Sequence, residues 1–209
     1  MACVESLEGY LLDLGSAKPT PGGGSAAAIA ASLGSALVGM VSRITLQSAR
    51  LAERHDLASR LAEASDTLGT KLVADRAADE AAFAGVMAAM ALPKQTPDEK
   101  AARTARLQRA LAAAAEAPLE TARDAIAVLR LADGALGLHN ENLNSDVGCA
   151  AEFASAALLA AAYNVRVNHV YMKDAAVVAA QAGALDALEA EGTALLERVR
   201  SALRAPQTR

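Results

Sequence analysis

Two polar stretches of this chain carry the residue types that chemistry needs. The first is Pro19-Thr-Pro-Gly-Gly-Gly-Ser25, which runs directly into small and apolar residues from Ala26 to Val41. Pro19 and Pro21 stiffen the approach, Gly22, Gly23 and Gly24 strip the turn of side chains, and Ser25 is placed to cap the helix that follows. Bare N–H groups at the positive end of a helix suit an anionic or carbonyl-rich ligand. The same turn would also serve simply to let two helices pack closely. The second stretch is His139-Asn140-Glu141-Asn142-Leu143-Asn144-Ser145-Asp146-Val147-Gly148. Its asparagines, serine and aspartate offer donors and acceptors at a helix start, for a ligand or for capping alone. Asn164 and Asn168 lie four apart in an apolar segment, so they share a helix face and need partners there or in a ligand.

Several chemistries are absent from the pattern. His55, His139 and His169 have neither HxxxH nor HExxH spacing, so no metal site is expected. The glycine triplet lacks the following Lys-Ser/Thr of a nucleotide-binding P-loop, and no GxSxG elbow occurs. Cys3 and Cys149 have no CxxC partner, which leaves them as buried or incidental thiols of a reducing cytoplasm. A net charge of −4 with scattered Lys and Arg argues against nucleic acid as a partner. The N-terminus has no basic leader, and Ala26–Val41 is short for a membrane span and broken by Ser32, Gly34, Ser35 and Gly39. A cytoplasmic protein with a small-molecule partner and no membrane attachment is the expectation.

The elements that must position these residues are helical. Apolar residues make up 53% of the 209-residue chain but aromatics only 2%, so the core must be built from Ala and Leu on closely approaching helices. The pattern predicts an all-α fold, one multihelical domain over residues 1–209. A short helix spans Ser6–Leu14, with Leu7, Leu11 and Leu14 on one side, and a second runs from Ser25 to Ser48 with a seam of small residues. A third spans Glu53–Met90, loosened at Gly69. Thr96, Pro97, Asp98 and Glu99 start a fourth, kinked at Pro118 and ended by Asp133-Gly134. Two more run from Asp146 to Asn168 and from Lys173 to Ala202, and the residues from Pro206 onward read as frayed.

An ordered series of motifs runs along the chain. After the Pro-Thr-Pro-Gly-Gly-Gly-Ser turn come Asp79 to Phe83, Val86-Met87, Leu92-Pro93-Lys94, Thr96 to Arg103 and Ala117-Pro118-Leu119. Asn140-x-Asn142-x-x-Ser145-Asp146-Val147-Gly148 and Asn164 to Asn168 complete it. In this order they resemble the D-x-x-A-F, V-M, L-P-K, T-x-E-E-K…R, V-P-L, N-x-N-x-x-S-D-V-G and N-V-x-I-N elements of the C-terminal domain of formiminotransferase-cyclodeaminase and its stand-alone relative, methenyltetrahydrofolate cyclohydrolase. The likeness covers about residues 5–175.

The resemblance implies an all-helical homodimer of long antiparallel helices acting on folate-bound one-carbon units, with a tetrahydrofolate derivative as substrate and no separate cofactor. Both family reactions pass through a tetrahedral carbon between two nitrogens, so they need a proton shuttle and a polar cradle. The resemblance makes Asp146 and Asp79 the candidate shuttles. Pro21, Gly22–Gly24, Ser25, Lys94, Asn140, Asn142, Ser145, Asn164 and Asn168 become the candidate substrate contacts. The chain departs from the family where a G-K-K-K-Y element is usual: Gln47-Ser48-Ala49-Arg50-Leu51 stands there. His139 also replaces a glycine and is the right type to take over proton transfer near neutrality. A non-folate C–N substrate, or a binding protein without chemistry, are the readings these departures leave open.

Overall fold

The computed structural model describes residues 6–204, and every described element is helical. Cys3 and the residues from Pro206 onward lie outside the described residues. The chain runs through α1 (Leu7–Leu14), α2 (Gly23–Leu46), α3 (His55–Met90), α4 (Pro97–Ala135), α5 (Asn144–His169) and α6 (Ala175–Arg204). Short 3-10 segments at Ala49–Arg54, Leu136–Leu138 and Glu141–Leu143 fill the connections at one end of the bundle.

Local chemistry sets most boundaries. Ser6 caps α1 by accepting the Gly9 N–H at 3.0 Å. At α4, Thr96 Oγ1 accepts the Glu99 N–H while Glu99 Oε2 accepts the Thr96 N–H, a reciprocal capping box with Pro97 in the first position. Other expectations need correction. Gly69 leaves no break in α3, since tertiary packing on both sides holds the helix through it. Pro118 is buried inside α4 and does not stop it, as expected, but α4 continues past Asp133-Gly134 to Ala135. In α1 it is Tyr10 that is buried, whereas Leu7 and Leu11 face outward. Cys149 is exposed rather than buried.

α2 packs mainly between α3 and α5, α4 lies against α3 and α5, and α6 closes on α4 and α5. The contact surfaces are largely alanine: Ala28, Ala31, Ala115, Ala122, Ala150 and Ala154 are all fully buried. Side chains this small bring backbones together, and Gly34 marks a close approach of α2 to α5. A Cβ there would sit 2.8 Å from the Ala150 carbonyl oxygen and 3.0 Å from Val128 Cγ1. Gly34→Ala is expected to destabilise the protein by about 1–3 kcal/mol, because overpacking outweighs the gain in helix propensity. Urea denaturation with an unchanged m-value is the check.

The topology gives the bundle two chemically distinct ends. The start of α2, the end of α3, the start of α4 and the end of α5 meet at one end, the glycine pole. The end of α2, the start of α3, the end of α4 and the start of α5 meet at the other, the asparagine pole.

Candidate active site

The glycine pole holds a cavity of about 550 Å³. Gly22, Gly23 and Gly24 form one wall, and Asp79, Asn164 and Asn168 bring the polar side chains. The remainder is mostly apolar: Phe83, Val86, Met87 and Met90 from α3, Leu107 and Leu111 from α4, Val167 from the end of α5 and Tyr171 just beyond it, with Pro19 and Thr20 from the turn before α2. Asp79, Phe83, Val86, Met87 and Met90 recur at three- and four-residue spacing, so α3 presents one continuous face to the cavity.

Asp79 lies hard against Gly24. A Cβ on Gly24 would come within 2.2 Å of Asp79 Oδ1, so only glycine lets the carboxylate reach the first turn of α2. There it accepts the Ser25 backbone N–H. Burial pushes the Asp79 carboxyl above its ordinary range; the Ser25 N–H opposes this, and the charge of Glu80 adds to it. The positive end of α2 is thus already matched by a protein carboxylate. The expectation of a site awaiting an external anion is corrected accordingly, and the cavity suits a neutral carbonyl or a delocalised cation better.

Ser25 neither caps α2 nor faces the cavity. The helix begins at Gly23, with Gly22 as the residue before it, and Ser25 is fully buried within the first turn. Its hydroxyl donates to Glu80 Oε1 at 2.7 Å and lies 3.0 Å from the Tyr10 hydroxyl. Arg76 stacks over the Tyr10 ring and pairs with Glu80 at 3.7 Å. Ser25 therefore fastens α1 and α3 behind the glycine wall. Pro21, in the turn before it, follows a cis peptide bond.

The two α5 amides do both things their spacing allows. Asn164 Nδ2 donates to the Ala160 carbonyl at 2.9 Å, and Asn168 Nδ2 donates to the carbonyls of Ala114 and Asn164 at 3.0 and 2.8 Å. With the Asn168 donors committed, its Oδ1 is what it can offer a ligand. Asn164 lies across from Gly23, where a Cβ would be 3.2 Å from Asn164 Nδ2.

The other sequence candidates are elsewhere. Lys94 is exposed in the turn after α3 and does not line the cavity. His139, in a left-handed conformation (φ 50°, ψ 36°), Asn140, Asn142, Ser145 and Asp146 all sit at the asparagine pole. Asn140 Nδ2 donates to Thr45 Oγ1 at 3.2 Å, and His55 Nε2 lies 3.1 Å from the Ser48 carbonyl oxygen. Asp146 is not a helix cap, because α5 starts at Asn144 and Asp146 is half-buried in its first turn. Asp146 and Asn164 lie on one straight helix, about 27 Å apart at 1.5 Å per residue. Within one chain the two polar stretches cannot hold the same small ligand. Among the described residues no three His, Cys, Asp or Glu side chains gather as a metal site.

Tyr171, Met90, Leu107 and Leu111 were not singled out from the sequence. The period of α3 extends to Met90 and is a readable signal, whereas the α4 and Tyr171 contributions depend on how helices cross.

Gly24→Ala is expected to displace Asp79 and lower turnover at least tenfold, while Gly183→Ala on α6, outside the cavity and with nothing within 4 Å of the new Cβ, leaves it unchanged. Steady-state rates of the two variants, with circular dichroism to confirm the fold, decide this.

Comparison with known proteins places these features in a family. The formiminotransferase-cyclodeaminase family model matches residues 6–187. The methenyltetrahydrofolate cyclohydrolase of Methylorubrum extorquens is 41% identical over 199 residues, covering 95% of this chain and 96% of that protein. The formimidoyltransferase-cyclodeaminase of Rattus norvegicus is 31% identical over 169 residues, which is 81% of this chain but 31% of that longer protein. The crystal structure of formiminotetrahydrofolate cyclodeaminase from Thermotoga maritima superimposes with a TM-score of 0.85 at 27% identity, covering 95% of both chains.

Proposed function

We infer the function from one premise: the chain belongs to the formiminotransferase-cyclodeaminase family. It is an enzyme of folate one-carbon chemistry that acts on C–N bonds. Of the two family reactions we assign hydrolysis of 5,10-methenyltetrahydrofolate. The observation that carries this is the 41% identity to a stand-alone cyclohydrolase along nearly the whole of both chains.

The cavity chemistry supports the assignment. The substrate carries a delocalised cation across two nitrogens and the methenyl carbon between them. Asp79, an aspartate in an apolar wall beside the α2 N-terminus, can pair with that cation and accept a proton from the water that attacks it. Asn164 and Asn168 supply fixed polar groups for the ligand, and Phe83, Met87 and Tyr171 supply flat or pliable apolar contact for an aromatic substrate.

Asp146, His139, Asn140, Asn142 and Ser145 act on the same substrate only if another subunit brings them. The exposed side chains Leu33, Met40 and Ile44, with half-buried Leu37 between them, form an apolar stripe along the outer face of α2. Such spacing suits a helix–helix seam. We assign this face to a homodimer in which the two α2 helices run antiparallel about a two-fold axis. That arrangement sets the glycine pole of one subunit beside the asparagine pole of the other, and completes the site with Asp146 and His139. Arg50 then stands where the family usually carries lysines, as a fixed charge rather than a proton carrier.

α2 and α5 are long and apolar enough to cross a membrane by length and composition. Ala27, Ala31, Val38 and Val41 of α2 and Val147, Leu158 and Val165 of α5 are buried in the core of the bundle, which supports a water-soluble cytoplasmic enzyme.

The test is direct. Purified protein mixed with 5,10-methenyltetrahydrofolate should accelerate the loss of its near-ultraviolet absorbance well above the spontaneous rate. A folded protein that gives only the spontaneous rate, yet releases ammonia from 5-formiminotetrahydrofolate, would move the assignment to the cyclodeaminase reaction.

A further inference from the structure

One turn behind Asp79, on the same face of α3, the packing leaves a carboxylate that ordinary pairing does not satisfy. Asp75 Oδ2 is buried and has no hydrogen-bond partner. Its side chain is 14% exposed, and that of Asp124, facing it from α4, is 11% exposed. Lys71 binds Asp124 closely but stays 3.6 Å from Asp75 Oδ2 and 3.6 Å from Glu120 Oε2. Arg123 pairs with Glu120 and Glu116. From α2 no charge arrives: its one charged residue, Arg43, pairs with Asp66. Arg76 and Glu80, also on α3, are turned to Tyr10 and Ser25.

Around Asp75, therefore, Lys71 and Arg123 face four carboxylates, Asp75, Asp124, Glu120 and Glu116. A proton on Asp75, donated to Asp124, removes one excess negative charge and satisfies the orphaned oxygen together. Burial and the neighbouring Asp124 push the Asp75 carboxyl up to about 7, against the pull of Lys71. Asp79 lies four residues further along the helix, where side chains i and i+4 stand about 5–6 Å apart at Cβ.

We propose that Asp75 and Asp124 form a carboxyl pair that exchanges a single proton with Asp79 and carries it away from the apolar cavity. This rests on the reading of Asp79 as the cavity's base. In hydrolysis, the water oxygen bonds to the methenyl carbon, the C=N π pair passes to nitrogen, and one water proton goes to the Asp79 carboxylate. Ring opening then adds a proton to the departing nitrogen and removes one from the carbinol hydroxyl, so the turnover releases one proton. That proton passes from Asp79 to the ionised pair and on to solvent beside partly exposed Lys71. Asp75 and Asp124 touch no substrate, so both are positioning residues for the proton and not catalytic ones.

Asp75→Asn separates structure from titration, because the amide keeps a hydrogen bond to Asp124 and cannot lose a proton near neutrality. The folded-state value is raised, so the stabilisation from protonated Asp75 is present at low pH and lost as pH rises through about 7. Thermal melting of the wild type and the variant should therefore agree best near pH 5 and separate toward pH 8.5, with the wild type the less stable. Parallel curves overturn the shared proton. In the cyclohydrolase assay the variant should lose about tenfold or more in kcat with KM within about twofold, and lose the limb of the kcat profile near neutrality. An unchanged profile overturns the exchange with Asp79. Full activity in Asp79→Asn would instead overturn the base assignment, leaving the melting result untouched. Should Asp75→Asn not fold, the carboxylic-acid infrared band of the wild-type protein decides the shared proton: present at pH 6 and lost by pH 9 supports it, no change overturns it. Asp124→Asn then carries the rate measurement.

Discussion

Replacing Asp79 by asparagine should lower kcat for 5,10-methenyltetrahydrofolate hydrolysis by about 10²- to 10⁴-fold, the range expected when a positioned proton acceptor is lost. The fold should survive. The amide carbonyl of the replacement side chain can still accept the Ser25 N–H, and Gly24 still leaves room for a side chain of the same shape. The pH profile adds a second test. Burial holds the Asp79 carboxyl above its ordinary 3.8, and a base works only when ionised. Wild-type kcat should therefore rise with pH through a midpoint above that value, and the corresponding limb should vanish in the variant. Stability should move the other way. A carboxyl raised on folding stabilises the protein while protonated, and the contribution is lost as pH rises through its folded value. Asp79→Asn should thus melt higher than the wild type at pH 8 and closer to it in acid. A variant that is slower and more stable is the signature of a group kept for chemistry at the expense of the fold. Wild-type turnover in Asp79→Asn would remove Asp79 from the mechanism.

The helices were legible in the sequence wherever the cause is local. The capping box of Thr96 and Glu99 needs only residues within one turn, and it starts α4 where the sequence places it. Ser25 looked equally local but was not. The first turn of α2 is met by Asp79, more than fifty residues away, and that carboxylate frees the serine hydroxyl for Glu80. Asp146 fails as a cap for a related reason: the Glu141–Leu143 turn lets α5 start two residues earlier. In α1 an eight-residue amphipathic pattern has two plausible inner faces, and the hydrogen bond between Tyr10 and Ser25 settles which one is buried. The family motifs were legible as an ordered series. Their separation into two poles was also within reach, since Asp146 and Asn164 were already placed on one uninterrupted helix. What the sequence could not provide is the crossing of α3, α4 and α5 that sets Leu107, Leu111 and Tyr171 around Asp79.

That separation leads to the second large effect. If the asparagine pole of one subunit completes the glycine pole of another, Asp79→Asn and Asp146→Asn each disable every site in their own homodimers. Mixed and allowed to exchange subunits, they form heterodimers in which one site carries both substitutions and the other carries neither. Random pairing makes half the dimers heterodimers, each with one intact site in two, so activity should recover to about a quarter of wild type. A site built within one chain gives no recovery, because every site then retains one lesion. Leu33→Glu with Met40→Glu provides the independent arm. Both side chains are exposed on the outer stripe of α2, so the charges are tolerated by the subunit and disfavoured in a seam between subunits. This variant should elute as a folded monomer with little activity, and a stripe-disrupted protein that keeps wild-type turnover would return Asp146 and His139 to a purely structural role at their own pole.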